Sequence, residues 1–317
     1  MVAFVTFLRA LATCLITNSH YTGVYPTDLI ANGGLLGNII FFAISGFCLC
    51  NIKNNFTRWY AKRATRVYIP VILLTLIYLV LGVANISSSH NIVWWFIYPT
   101  NYHFVASIII LYIPFYIIMK FDKLKNNLVY VMSGLFLVIL ILYFFAFDKS
   151  YYHIDVVSEP FVRLLYLESM LLGSYFKLNL DKFRAKDYKI PAIMLILFFV
   201  LYFASKLFFS KYSQYSNLQI INQVIIFALL FWIFRFFSSI DLSLQRMPGW
   251  LMKVISFLAD ITLEIYLVQN VILDKLKYVA QFPFNWFILT FTIIVSAYLL
   301  HIATKPIIKY INKLLEN

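Results

Sequence analysis

Acidic residues are scarce in this chain: 13 Asp and Glu stand against 26 Lys and Arg in 317 residues. Charged side chains of both signs make up only 12%, while 62% of the residues are hydrophobic and mean hydropathy is +0.83. That shortage excludes an ordinary soluble domain, in which about a quarter of the residues are charged. Only three cysteines occur, Cys14, Cys48 and Cys50, all in apolar runs. Neither their number nor their spacing supports a disulfide framework, and a lone Cys-x-Cys is a weak metal signal. Histidines number five, and His90, His103 and His153, in or beside loops, are too scattered for a metal site. No basic n-region precedes the first apolar run, so no cleavable signal peptide is read. Soluble domains, long linkers, low-complexity tracts and the inverted repeats of secondary transporters are not visible. Residues 1–317 therefore read as a single transmembrane domain.

What is abundant is the apolar run. Crossing ~30 Å of hydrocarbon takes about 20 predominantly apolar residues as a helix. Ten such segments are expected, at about 4–20, 33–52, 68–86, 103–119, 128–147, 160–178, 190–209, 218–237, 252–273 and 286–304. Trp94, Trp95 and Phe96, just before the fourth, suit an interfacial or re-entrant piece. Basic residues concentrate in alternate loops: Lys53 to Arg66, Lys120 to Lys125, Lys177 to Lys189, Arg235 to Lys253, and Lys305 to Lys313. The positive-inside rule places these loops, and both termini, in the cytoplasm. The expected fold is an all-α, ten-helix polytopic bundle. The net charge of +13 follows from topology, and without a reading motif it does not indicate nucleic-acid binding.

Arg9 and His20 frame the first run, eleven residues apart. At ~100° and ~1.5 Å per residue, eleven steps return to within ~20° of the start after ~16 Å. On a helix both side chains point the same way, three turns apart. An Arg inside a lipid span costs from about 2.5 kcal/mol upward and usually faces a polar path. The competing reading is that Arg9 snorkels to the near interface and His20 marks the far one.

Three further features follow in order. Gly33-Gly34-Leu35-Leu36-Gly37 leads into Phe41-Phe42-Ala43-Ile44-Ser45-Gly46-Phe47, and then comes Lys62-Arg63-Ala64-Thr65-Arg66-Val67-Tyr68-Ile69-Pro70. Arg-x10-His, Phe-Phe-x-x-Ser-Gly-Phe and Lys-Arg-x-x-Arg-x-x-x-Pro within seventy residues resemble the acyltransferase-3 family of membrane enzymes. Late in the chain, Glu264-Ile265-Tyr266-Leu267-Val268-Gln269 is similar to that family's Tyr-Leu-x-His stretch, with Gln269 where a His is common, so no acid–base role is assigned there. Residues 120–250 carry no comparable motif.

The resemblance implies a multi-pass O-acyltransferase of a bacterial-type cytoplasmic membrane. Acetyl-CoA would be a co-substrate rather than a tightly bound cofactor, and the acceptor a cell-surface polysaccharide or lipid-linked glycan. His20 would act as general base near the outer face, since a pKa near 6.5 leaves neutral imidazole at pH 7; a covalent acyl-histidine stays open as the variant. Arg9 would be the second catalytic residue, favoured to position the donor because it lies ~16 Å from His20 along a helix, with stabilisation of the oxyanion as the alternative. Arg63 and Arg66, three residues apart, would grip the coenzyme's phosphates, against a purely topogenic role. Ser45 and Gly46 leave either a slot for the pantetheine arm or a close helix contact.

The remaining intramembrane charges need partners. Glu159 and Arg163 could pair at i,i+4, with Glu168 deeper in the same run. Asp260 and Glu264, also i,i+4, are expected to share a face turned into the bundle. Arg163, Glu168, Asp260 and Glu264 are candidates for sugar contact or for structural neutralisation, and His301 reads as a packed, hydrogen-bonded histidine. Some members of the family carry an added extracytoplasmic hydrolase-like domain. This chain ends within fifteen residues of its last expected helix, so it is expected to complete transfer alone. The alternative from another class is a membrane exporter of a glycan or small solute, which would move its cargo without consuming acetyl-CoA.

Overall fold

The computed structural model describes residues 2–83, 86–87, 92–97, 102–156, 161–184 and 187–316, and these form helices without strands. In order the α-helices are α1 (Ala3–Ser19), α2 (Gly34–Leu49), α3 (Phe56–Val80), α4 (His103–Lys120), α5 (Asp122–Lys125), α6 (Leu128–Phe145) and α7 (Val162–Leu178). Then come α8 (Leu180–Phe183), α9 (Lys189–Lys211), α10 (Ile220–Ser239), α11 (Asp241–Gln245), α12 (Gly249–Asp260), α13 (Thr262–Leu276) and α14 (Phe284–Leu314). The Trp94–Trp95–Phe96 stretch forms only a short π-turn, Val93–Ile97.

Six helices, α3, α4, α6, α9, α10 and α14, are long and apolar enough to cross a membrane. The apolar helices α1 and α2 have 17 and 16 residues and are shorter. Three expected segments differ in detail, the last of them because α14 runs on to Leu314 rather than ending near 304. Helix α3 begins at Phe56 rather than near 68, because the Asn55 side chain caps it by accepting from Arg58 N at 3.1 Å. Its basic first turns are therefore helical although they lower hydropathy. The expected segment 252–273 is divided at Ile261 into α12 and α13. Thr262 Oγ1 turns back to Leu258 O (3.2 Å) and Ala259 O (3.0 Å), a local side-chain bond that competes with regular helix continuation.

The chain divides into two compact units. Unit 1 comprises Met1–Arg9, Asn38–Ile52 and Pro114–Lys253. It is held by backbone-close packing of α2 on α7: a β-carbon at Gly46 would collide with the carbonyl of Met170, and one at Gly173 with that of Ala43. Ser174 Oγ donates across this contact to Gly46 O at 3.0 Å. Small residues that let backbones touch are what drives helix association in lipid, where burial of apolar surface gives little. Phe42 stacks on Tyr166 alongside, at 4.3 Å between ring centroids. The start of α1 is tied to the same unit by Asp241, buried, whose Oδ1 accepts from Phe4 N at 2.8 Å. That N–H is one of the four that a helix start leaves without an internal partner.

Unit 2 comprises Ala10–Gly37, Lys53–Ile113 and Val254–Asn317. Here α13 and α14 form an antiparallel pair, linked by Glu264 to His301 and by Lys277 O to Asn285 Nδ2. The loop after α1 meets the start of α14, with Tyr21 OH on Thr290 Oγ1 at 2.8 Å and Asn285 Nδ2 on Val24 O at 3.3 Å. Thr13 Oγ1 donates to Thr262 Oγ1 at 2.9 Å and so joins α1 to α13.

Candidate functional site

Of the residues singled out in the sequence, Arg9, Ser45, Arg163 and Glu168 fall in unit 1, and His20, Arg63, Arg66, Asp260 and Glu264 in unit 2. Arg9 is half-buried on α1, and the helical spacing behind the Arg9–His20 reading holds to Ser19. His20 itself is the first residue beyond the helix, in a turn closed by its N–H on Thr17 O at 3.1 Å. It is half-buried, and loss of water contact pushes its imidazole below the ordinary 6.5.

The loop that follows is fixed by one side chain. Asn18 Nδ2 donates to Ile30 O (2.7 Å) and Asn32 O (2.9 Å), and its Oδ1 accepts from Tyr25 OH (2.7 Å). Tyr25 OH in turn accepts from Trp286 Nε1 at 3.1 Å. At the loop's far end Gly33 has φ +103°, in the region that side chains with a β-carbon avoid. Gly37 then lets α2 approach α1, since a β-carbon there would press on Ile16 and the carbonyl of Ala12.

Within unit 2, Arg63 and Arg66 lie on the second and third turns of α3. Arg63 lies over the buried Trp59, 5.0 Å from its ring, and donates to Trp59 O at 3.5 Å. Tyr112 supports Trp59 from the other side in an edge-on contact at 5.6 Å. Arg66 is exposed. The first turns of α3 are also tied to the chain end: Lys62 Nζ pairs with Glu316 Oε1 at 2.7 Å, and Arg58 donates to Glu316 O.

The carboxylates are sorted differently from the expectation. Asp260 and Glu264 do not share a face, because the break at Ile261 separates them: Asp260 is exposed and Glu264 buried. Glu264 Oε1 meets His301 Nδ1 at 2.9 Å, which bears out the hydrogen-bonded reading of His301. In unit 1, Glu168 is 4% exposed and neither carboxylate oxygen has a hydrogen-bond partner among the described residues. Arg163 is half-buried on the same helix, while Glu159, its expected partner, lies outside the described residues. Ser45 is half-buried beside the α2–α7 contact, where Gly46 serves packing.

Two polar residues carry more than the sequence suggested. Gln269 is fully buried, and both its amide atoms lack partners among the described residues. An unmet buried amide costs about 1–3 kcal/mol, so such a group is a natural place for a ligand hydroxyl. Asn18, the hub of the His20 loop, carried no local signal because its partners lie 7 to 14 residues away. His103 opens α4, and His153 is buried between Phe147 and Tyr151, stacked on both. His90 lies outside the described residues. Among those described, no group of three or more metal-binding side chains converges.

Six long apolar helices define a multi-pass membrane protein in general outline. A family model described as an acyltransferase domain, that of the acyltransferase-3 family, matches residues 2–304. The chain belongs to this family, and its activity is acyl transfer. No similar curated protein and no similar solved structure was found.

Proposed function

We propose that the protein is an O-acetyltransferase, moving acetyl from cytoplasmic acetyl-CoA to a hydroxyl of a cell-surface polysaccharide or a lipid-linked glycan. The observation that carries this reading is His20: a half-buried imidazole, held at the end of the helix that bears Arg9, with burial favouring its neutral form. A neutral ring at pH 7 can take the proton of an acceptor hydroxyl as that oxygen attacks the thioester carbonyl. The tetrahedral intermediate then collapses with cleavage of the carbon–sulfur bond, leaving ester and coenzyme A. In a cytoplasmic membrane with both termini inside and ten spans, the Arg9 end faces the donor and the His20 end faces the acceptor.

Arg63, set by Trp59, and the exposed Arg66 are the residues proposed to hold the donor's phosphates, for which guanidinium forks are suited. Arg9 positions the donor deeper, and Ser45 leaves room beside the pantetheine arm. Among Arg163, Glu168, Asp260 and Glu264, the carboxylate of Glu168 is best suited to accept sugar hydroxyls, because neither of its oxygens has a partner among the described residues. The experiment is turnover of acetyl-CoA by purified protein with acceptor present, wild type against His20→Ala. Consumption that continues at a near-normal rate in the variant overturns the assignment of His20.

A further inference from the structure

Within unit 2, helix α13 is pinned at both ends to α1 and the loop behind it. At its start Thr262 Oγ1 accepts from Thr13 Oγ1 at 2.9 Å. At its end Asn285 Nδ2 donates both to Lys277 O (3.4 Å) and to Val24 O (3.3 Å). In the same place a β-carbon on Gly23 would lie 3.9 Å from Tyr278 OH. The residues between Thr262 and Lys277 therefore lie along the stretch from Thr13 to Val24.

Gln269 stands seven residues on from Thr262, and His20 seven on from Thr13. Seven helical steps turn through about 700°, within ~20° of two full turns, and rise ~10.5 Å. On α13 this carries the direction of Thr262 to Gln269. On α1 it carries that of Thr13 to His20, whose N–H bond to Thr17 O continues the turn. Two side chains that start from a hydrogen-bonded pair and climb equal distances arrive facing each other. Gln269 is fully buried, and neither amide atom is bonded among the described residues, His20 included. Thr17 Oγ1, a turn below His20, is also buried without a partner among them. The amide N–H and C=O thus stay available at the level of the imidazole.

We infer that the Gln269 amide N–H binds the carbonyl oxygen of the acyl group as that oxygen becomes negative, making Gln269 the oxyanion donor of the reaction. The inference rests on His20 being the base and a thioester the acyl donor. In the step, the acceptor oxygen bonds to the carbonyl carbon and its proton passes to the His20 ring. The carbonyl π pair moves onto oxygen, which accepts a hydrogen bond from Gln269 Nε2 without taking its proton. The C=O bond then re-forms, the carbon–sulfur bond breaks, and the departing sulfur takes the proton that His20 holds. The helical spacing that sets Arg9 ~16 Å from His20 leaves this role to another group. A pre-placed amide suits it, because a fixed dipole gains strength where water is excluded and needs no reorganisation as charge develops.

An oxyanion forms whichever nucleophile attacks, so the test follows thiol release from acetyl-CoA with two acceptors, water and octyl glucoside, in a sugar-free detergent. Gln269→Leu should cut kcat by about 10²–10³-fold with both, leaving KM for acetyl-CoA largely unchanged. Its melting temperature should not fall, since the unmet amide leaves with the side chain. Gln269→His, which returns an N–H donor at similar reach, should recover kcat to within about tenfold of wild type. Near-normal kcat in Gln269→Leu overturns the inference. So does a deficit confined to octyl glucoside, which would make Gln269 an acceptor-binding residue. A lowered melting temperature that accompanies the loss and persists in Gln269→His also overturns it, marking a packing role. His20→Ala, measured in parallel, keeps the two readings apart. A slow His20→Ala with a fast Gln269→Leu removes only the oxyanion donor, while a fast His20→Ala removes the base on which the inference rests. If wild-type protein releases no thiol with either acceptor, the inference falls together with the donor reading.

Discussion

Unit 1 and unit 2 are built by different means. Unit 1 closes α2 on α7 through backbone contact at Gly46 and Gly173 and leaves the Glu168 carboxylate without a hydrogen-bond partner among the described residues. Unit 2 has a close glycine contact too, at Gly37, but is also joined through side-chain pairs: Thr13 with Thr262, Glu264 with His301, and Tyr21 with Thr290. The first mode tolerates no added atom. The second consists of hydrogen bonds that in membranes average only about 0.6 kcal/mol each. The contrast suits a frame on one side of the fold's division of labour and adjustable polar chemistry on the other.

The largest effect should come from breaking the frame. Gly46→Leu or Gly173→Leu drives a side chain into a carbonyl of the facing helix, and neither backbone can yield. Overpacking of this kind costs about 1–3 kcal/mol or more, so monodisperse protein should be nearly lost in detergent size-exclusion. Normal recovery of either variant would show that the contact is dispensable.

Next in size is His20→Ala, expected to cut kcat/KM by 10²–10⁴-fold with folding unaffected. The wild-type pH profile sharpens this. Because burial lowers the imidazole pKa, activity should stay level as pH falls through 6.5 and decline only below it. The same shift has a sign for stability: the folded state binds fewer protons than the unfolded one, so stability is kept above pH 6.5 and lost as pH falls beneath it. A limb at or above 6.5 in kcat/KM would assign the titration to another group.

How much of this could be read from the sequence differs between residues for physical reasons. The apolar runs were legible as helices, six of them long enough to cross a membrane, because helical periodicity is local, while His20 falls just past the end of the α1 that carries Arg9. The start of α3 was not, because Arg58 to Arg66 depress hydropathy although Asn55, a recognisable cap residue, stands just ahead of them. The break at Ile261 depends on a threonine bonding its own preceding turn, a choice the residue type permits but does not dictate. Glu264 could be recognised as needing a partner, yet its partner lies 37 residues on. Gln269 looked like the loss of a histidine, and only its burial gives it weight.

A smaller effect tests the donor reading. Arg63→Ala combined with Arg66→Ala should raise KM for acetyl-CoA by about 10–100-fold with kcat largely kept, since charge-assisted hydrogen bonds contribute about 1.5–3 kcal/mol. High salt should narrow the gap by screening the wild type. Unchanged donor affinity in direct titration would mark both arginines as topogenic. The smallest expected change is Thr13→Val, which removes one hydrogen bond of unit 2 at about 0.6 kcal/mol. A shift in melting temperature as large as that of a glycine variant would erase the distinction between the units.

Asn18 has a consequence of its own. By gathering Tyr25, Ile30 and Asn32, it closes a loop whose first residues include His20. Fixing a residue's backbone costs about 1–2 kcal/mol of conformational entropy, and here that ordering is complete before any acceptor arrives. If His20 is the base, as proposed, acceptor binding need not freeze it, and the orientational advantage of a pre-placed group goes into rate. Freed by Asn18→Ala, the loop would make each turnover wait on the histidine finding its place, which would appear as a lower kcat with the imidazole chemically intact.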